Sequence, residues 1–596
     1  MRQEGYLPLR EYAAIGAGRT AALVGSDGSI DWLCLPDFDS PSVFARVLDA
    51  EKGGSFRLEP VAAFESERRY LPRTNVLETT FRTATGSVRV VDALTIADDS
   101  WLSPLREVVR RVEGMTGEVA MRWRFEPRFD FARSKTSIGR RGSRHVALCG
   151  RSAVALATFG AGEERVRDTG VEGEFTARAG ERALLQLSMA DAEPLVLAGR
   201  RDTEARLDRT IEFWQGWTDK RVEYEGPWRE AVERSALALK LLVFAPSGAF
   251  VAAPSSSLPE EIGGVRNWDY RFTWPRDASY TLFAFLNLGC PSEARAFFWW
   301  LSHATQQTRP VLRPVYTVDG GLCPGEIELE HLAGYRGSRP VHVGNGATDQ
   351  VQLDVYGAVL EAIWLFAQQT GEIDVESGPA VARIADWVCD HWRDPDSGIW
   401  EVRSDPEHFV QSKVMCWVAL DRACKLAELG VLPDRRGRWR AEAEAIRREV
   451  DAEGWDGEQR SYVRSYADRT LDASLLTLCL FDYDTDPQRI AGTVEAVRRE
   501  LADGPLVTRY RGGDGLPGDE GRFLACSFWL VGALAKCRRL DEAAELMDEL
   551  VALANDVGLY AEEVDRDGLF LGNFPQALSH LTLVNAAYAF QKEAAA

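Results

Sequence analysis

The hydrophobic period of this chain changes once, and the change decides what each part can fold into. Before about residue 205 the apolar residues come in short runs, several alternating with polar ones: 54–58, 76–82, 87–93, 107–112, 119–125, 153–158 and 183–188. Alternation puts successive side chains on opposite faces of a strand, so Val119, Met121, Trp123 and Phe125 share one face and Arg122 and Arg124 the other. Thr85-Gly86-Ser87 and Glu113-Gly114 read as turns between strands, as does 26–32 near the start. Residues 36–44 hold too much Pro and Asp for an interior strand and are expected to be a shaped loop. Many short strands with few helical patterns predict an antiparallel β-sandwich over 1–205.

At 207–220 the spacing switches. Leu207, Ile211, Trp214 and Trp217 fall on one face of a helix, which predicts a linking helix within 206–227. From 228 to 596 the pattern is helical, with twelve segments starting near Trp228, Arg276, Ser292, Thr348, Gly378, His408, Arg436, Leu471, Asp486, Arg522, Asp541 and Gln576. The connections 246–270, 311–346, 394–409, 503–521 and 558–575 are long and rich in Gly, Pro and aromatics, which favours a functional role. Twelve helices in pairs, with alternate long loops, predict a closed (α/α)6 toroid. An open solenoid calls for short loops and a regular repeat, and neither is present.

The acids outnumber the bases, 91 against 70, for a net charge of −21. Such a balance disfavours nucleic acid and anionic membrane surfaces as partners and leaves room for a small neutral ligand. Residues 1–16 lack the basic start and apolar core of a signal peptide, and no apolar run is long enough to span a membrane. The ten cysteines show no CxxC pairing and the seven histidines no HExxH spacing. The expectation is a cytoplasmic protein with buried free thiols, no metal and no cofactor. Whether copies associate as a homo-oligomer is left open.

One stretch is dense in chemistry. Residues 267–278 pack Trp268, Tyr270, Phe272 and Trp274 beside Arg271, Arg276, Asp269 and Asp277, just ahead of an apolar run. Pro275 suits the first turn of a helix, which puts Arg276 and Asp277 at its mouth. Flat aromatic faces beside a fixed cation and anion fit a polyhydroxylated ring, whose C–H face stacks and whose hydroxyls need both donors and acceptors. Taken alone, the stretch reads more readily as an aromatic core segment with a surface ion pair. Two distant carboxylates shift the balance. Glu401 follows Trp400 in the loop 394–402, and Glu562 and Glu563 sit in 559–568. Hydrolysis of a glycosidic bond needs one acid to protonate the leaving oxygen and a second carboxylate acting from the opposite face.

Together, Tyr270-x-x-x-Trp274-x-Arg276-Asp277, Gly398-Ile-Trp-Glu401 and Ala561-Glu-Glu-Val-Asp565 resemble glycoside hydrolase family 15, which contains glucoamylases, glucodextranases and bacterial and archaeal α,α-trehalases. Residues 15–44 are similar to the β-sandwich of its trehalase-like members, and 344–354, 412–422 and 520–529 to the bacterial branch. The resemblance implies an inverting hydrolase releasing β-glucose. Glu401 matches the general acid and Glu562 the general base. Arg276 and Asp277 match the pair gripping the terminal glucose, with Tyr270 and Trp274 as aromatic walls. Where fungal glucoamylases have Trp before Phe-Leu, this chain has Arg522, which points to a short substrate such as α,α-trehalose. Malto- and isomalto-oligosaccharides are the alternative.

Trp400, Glu563, Lys413 and Arg522 join the expected substrate-binding set; Lys413 reads equally as a helix-face charge, and Glu563 as a residue that orients the base. His580 is expected to be a hydrogen-bonded core histidine, Asp37 and Asp39 plain loop residues, and Cys323 a thiol without a base. A phosphorylase, which uses a phosphate site in place of the second acid, and a sugar-binding protein with a decayed catalytic pair are less favoured, because both glutamates are present.

Overall fold

A computed structural model describes residues 2–96, 106–221, 224–370, 378–483 and 486–595. Two antiparallel sheets make up the first part, and both are organised on one strand, Arg106–Glu126. Its first half pairs with Gly86–Leu94 and Arg182–Asp191, and its second half with Ser55–Pro60 and Gly170–Arg178. Val119, Met121, Trp123 and Phe125 are buried on one face as the alternation predicts, with Arg122 exposed on the other. The expected turn at Glu113-Gly114 is absent: the strand runs straight through it. A Cβ on Gly114 would lie 2.1 Å from the Arg178 carbonyl oxygen, so glycine is there for close backbone approach and not for a turn. The expected loop 36–44 is also partly strand, because Ser42–Ala45 pairs with Ser29–Cys34.

Helix α1 (Arg200–Asp219) begins earlier than the expected linker; residues 222 and 223 of that linker lie outside the described residues. Leu207 and Trp214 on its buried face pack on Val91, Ala93, Val109 and Leu184 of one sheet, on Val76 beside it and on Leu237 of α2 (Arg229–Leu241). Burying side chains of this size stabilises by about 1.5–3 kcal/mol each. Trp217 donates its indole N–H to Glu293 (2.8 Å), which lies in a helix of the second half, so α1 packs on both halves of the molecule.

The remaining helices are α3 (Ala278–Asn287), α4 (Pro291–Gln306), α5 (Asp354–Thr370), α6 (Gly378–His391), α7 (Val410–Glu428), α8 (Arg436–Glu453), α9 (Pro487–Leu501), α10 (Leu524–Lys536), α11 (Leu540–Val551) and α12 (Ala577–Ala595). The segment expected near Leu471 is a 3-10 helix, Ala473–Cys479, where Thr477 Oγ1 and Cys479 Sγ turn back onto carbonyls three residues earlier. Packing runs α3–α5–α7–(473–479)–α10–α12 and returns from α12 to α3, which closes the ring as a toroid. The inner helices are apolar on nearly all sides; Leu524 to Ala535 of α10 are all buried. Outer helices are amphipathic, and α11 buries only Ala543, Met547 and Leu550, at i, i+4 and i+7.

Candidate active site

The five long connections meet at one end of the toroid. Arg266 forms a two-pronged ion pair with Asp514 (2.6 and 2.9 Å), Asn573 Nδ2 donates to the Trp268 carbonyl (2.9 Å), and Trp274 reaches Glu401. Between them lies a cavity open to solvent. Of the residues singled out above, Tyr270, Trp274, Arg276, Asp277, Trp400 and Glu401 line it. Pro275–Asp277 forms one 3-10 turn leading directly into α3, which turns Arg276 and Asp277 toward the opening.

Glu401 is held by its neighbours. Oε1 accepts from the indole N–H of Trp274 (2.8 Å) and from Arg276 (3.1 Å), while Arg276 also binds the Ile399 carbonyl (2.5 Å). Its backbone carbonyl accepts from Gln350 (3.1 Å). With φ at +58° the residue sits in the left-handed region, which costs a non-glycine residue about 1 kcal/mol or more and is found at functional sites. Trp400 is fixed by its indole N–H to the Asp472 carboxylate (2.9 Å) and packs against Trp529 and Phe523.

Glu562 lies behind the wall, 1% exposed. It bonds the Tyr270 side chain and accepts from the Asn573 backbone N–H (3.0 Å). Gly572 permits that approach, since a Cβ there would come 2.3 Å from Glu562 Oε2. Burial pushes its pKa up to about 8, reinforced by the charge of Glu260 and opposed by the Asn573 bond and Arg509. Burial likewise lifts Asp277 above the usual carboxylate range, against the pull of Arg276.

Three expected substrate contacts are not at the cavity wall. Lys413 is fully buried and donates to the carbonyls of Trp392 (2.6 Å) and Asp394 (2.5 Å), so its charge is spent inside the protein. Arg522 turns to Asp503 (3.5 Å). Glu563 is fully buried; among the described residues neither carboxylate oxygen has a hydrogen-bond partner, and Arg509 lies 3.6 Å away. Glu260, Glu520 and Glu563 bring carboxylate oxygens within 4.8 Å of one another, and the Arg509 guanidinium pairs with all three. His580 is a buried core histidine, hydrogen-bonded to Ser235 and the Tyr560 amide, its pKa pushed down by burial to about 3. Asp39 accepts from the Val318 N–H (3.1 Å), docking the β-sandwich on the helical part. Cys323 packs beneath Trp274, its thiol raised by burial.

The cavity also takes Tyr280, Arg509, Phe523, Trp529 and Gln576, which sequence reasoning missed. Phe523 and Trp529 lie in the matched segment 520–529 and could have been found there. Arg509 and Tyr280 carry no local signal; ring closure alone brings them in.

Residues 226–588 match the model of Glycosyl hydrolases family 15, and 4–194 match Trehalase-like, N-terminal. Over its length the chain is similar to a trehalase of Mycolicibacterium smegmatis, 38% identical across 97% of this chain and 90% of the relative. It is 36% identical to a trehalase of Thermoplasma volcanium, across 98% and 94%. Among solved structures, a bacterial glucoamylase complexed with acarbose superposes with a TM-score of 0.74 at 11% identity, covering 99% of this chain and 95% of that one, a likeness of fold.

Proposed function

The chain belongs to glycosyl hydrolase family 15, and we propose that within it the protein is an inverting α,α-trehalase with Glu401 as general acid and Glu562 as general base. The observation that carries the reading is the cavity itself: Tyr270, Trp274, Arg276 and Asp277 from one loop and Trp400 and Glu401 from another line one pocket. Trehalases align with nearly the whole chain, which supports trehalose over longer glucans.

The terminal glucose stacks on the indole and phenol walls while Arg276 and Asp277 hold its hydroxyls. Glu401 Oε1 is taken by two donors, so the proton it delivers to the glycosidic oxygen sits on Oε2. Water on the Tyr270 side attacks C1 as Glu562 accepts its proton, and the C1–O bond to the second glucose breaks. Per trehalose and water consumed, the attacked ring leaves as β-glucose and the departing ring as α-glucose; solvent then returns the proton from Glu562 to Glu401. Proton NMR in the first minutes of trehalose hydrolysis should show the two anomers in equal amounts. Only α-glucose would mean retention, and no cleavage of trehalose alongside cleavage of maltose would mean a glucoamylase-type enzyme.

A further inference from the structure

The residue just ahead of α12 commits one end of its side chain to the helix and leaves the other in the cavity. Gln576 is 4% exposed and forms part of the cavity wall. Its backbone N–H donates to the Tyr560 carbonyl (3.1 Å), the Ala577 N–H to the Ala252 carbonyl (2.8 Å), and Ser579 Oγ to the Ala561 carbonyl (2.9 Å). The start of α12 is thus stitched to the segment that carries Glu562. On the side chain, Oε1 accepts from the N–H groups of Leu578 (2.5 Å) and Ser579 (3.4 Å), in the first turn of the helix. This is an N-cap made by a glutamine where a shorter polar residue is usual. Backbone N–H groups only donate, so the atom facing them is the amide oxygen, and oxygen and nitrogen cannot exchange places. Among the described residues Nε2 has no partner, yet it is not sealed off: it keeps open surface, and the space before it is the cavity.

Most other donors of the cavity wall already serve the protein. The indole N–H groups of Trp274 and Trp400 go to Glu401 and Asp472, and that of Trp529 is enclosed. Arg509 holds Glu260 and Glu520, Tyr270 bonds Glu562, and Arg276 is partly committed to Glu401 and the Ile399 carbonyl. A sugar ring that leaves water brings several hydroxyl oxygens, each of which needs a donor. We propose that Gln576 is a substrate-binding, specificity-determining residue whose Nε2 donates to one hydroxyl oxygen of the ring seated on Arg276 and Asp277. This rests on the reading of the cavity as the glucose site. Because the cap fixes the amide, Gln576 offers that hydroxyl a donor and cannot turn its oxygen inward instead. A sugar without the hydroxyl leaves the nitrogen facing nothing, and a site built to bond a hydroxyl rejects the analogue that lacks it.

The test is kcat/KM for α-glucosyl fluoride and the series of its monodeoxy derivatives. These substrates carry a single ring, so the missing hydroxyl can lie only in the Arg276–Asp277 subsite. Wild type is compared with Gln576→Ser, which keeps a capping oxygen on α12 and withdraws the amide, and with Gln576→Met, which fills the volume without a donor. Both variants should lose about tenfold or more on the parent fluoride. One derivative, slow with the wild type, should be no slower with the variants, while the other derivatives lose by the same factor as the parent. A common loss across the whole series, or no loss at all, would make Gln576 a helix cap alone and overturn the proposal; either variant suffices should the other not fold. A wild type that turns over neither trehalose nor α-glucosyl fluoride would instead overturn the reading of the site, and this proposal with it.

Discussion

Glu562 shows how much the surroundings of a single residue decide. The sequence offers two adjacent glutamates, and nothing local tells them apart. In the fold, Glu562 takes the Asn573 N–H and the Tyr270 side chain, whereas Glu563 points into a fully enclosed space shared with Glu260, Glu520 and Arg509. A base works only when ionised, and burial raises the pKa of Glu562. Its carboxylate therefore protonates, and kcat/KM falls, as pH drops through a value well above the ordinary glutamate range. The acid limb of the profile is expected above about pH 6. Glu260→Gln removes the strongest charge repulsion on Glu562 and should move that limb to lower pH; a limb already at the exposed-glutamate value in the wild type would contradict the assignment.

At the scale of elements, the acid loop is held from below. Lys413 on α7 ties the carbonyls of Trp392 and Asp394, and Asp396 ties the Leu353 N–H and Ser412, so the start of the loop is fixed to α5 and α7 before the chain reaches Glu401. Lys413→Met should leave two buried carbonyls unsatisfied, at a cost of about 2–5 kcal/mol, with lower kcat and little change in KM. Thermal unfolding together with steady-state kinetics checks this, and equal stability of the two proteins would exclude the role. From sequence, a lysine after the acid loop faces the substrate or the protein with equal ease, and only the packed helix decides. The helices themselves were legible. Their starts carry physical punctuation, such as Asp486-Pro487, where Asp486 caps the Gln488 N–H and proline occupies the first turn. Gly114 misled because glycine serves turns and close strand approach alike, and only the partner strand distinguishes them. Much of the cavity wall was legible because Tyr270, Trp274, Arg276 and Asp277 are crowded into one stretch. Arg509 and Glu260 stand alone in their segments and acquire meaning only when the ring closes.

For the whole molecule, the question is why a β-sandwich precedes the toroid. Arg271 gives a physical answer. It lies in the same loop as Tyr270 and Trp274, yet its guanidinium leaves the toroid and enters the sandwich, donating to the Ser40 carbonyl (2.6 Å) and lying over Phe131 (5.2 Å). Its other nitrogens clamp Asp269 (2.8 and 2.6 Å), which also accepts from the Gly344 N–H (3.0 Å). The loop that forms one wall of the cavity is thus fastened at its centre to a different domain, with Trp32 of the sandwich adding a bond to the Pro254 carbonyl (2.7 Å). Removing one partner of a buried ion pair costs about 3–5 kcal/mol, because the other charge stays buried without compensation. Arg271→Ala should therefore loosen 268–274 without unfolding the helices. Hydrogen exchange should quicken at the Thr273 amide, which bonds the Tyr316 carbonyl (3.0 Å), while amides of α10 keep their protection. The misplaced wall should lower kcat by about tenfold or more, since small displacements of positioning groups are costly. Arg271→Lys, which keeps the charge but not the fork, should fall between the two. Unchanged exchange at Thr273 with unchanged kcat would show that the toroid holds its own cavity wall and that the sandwich serves some other end.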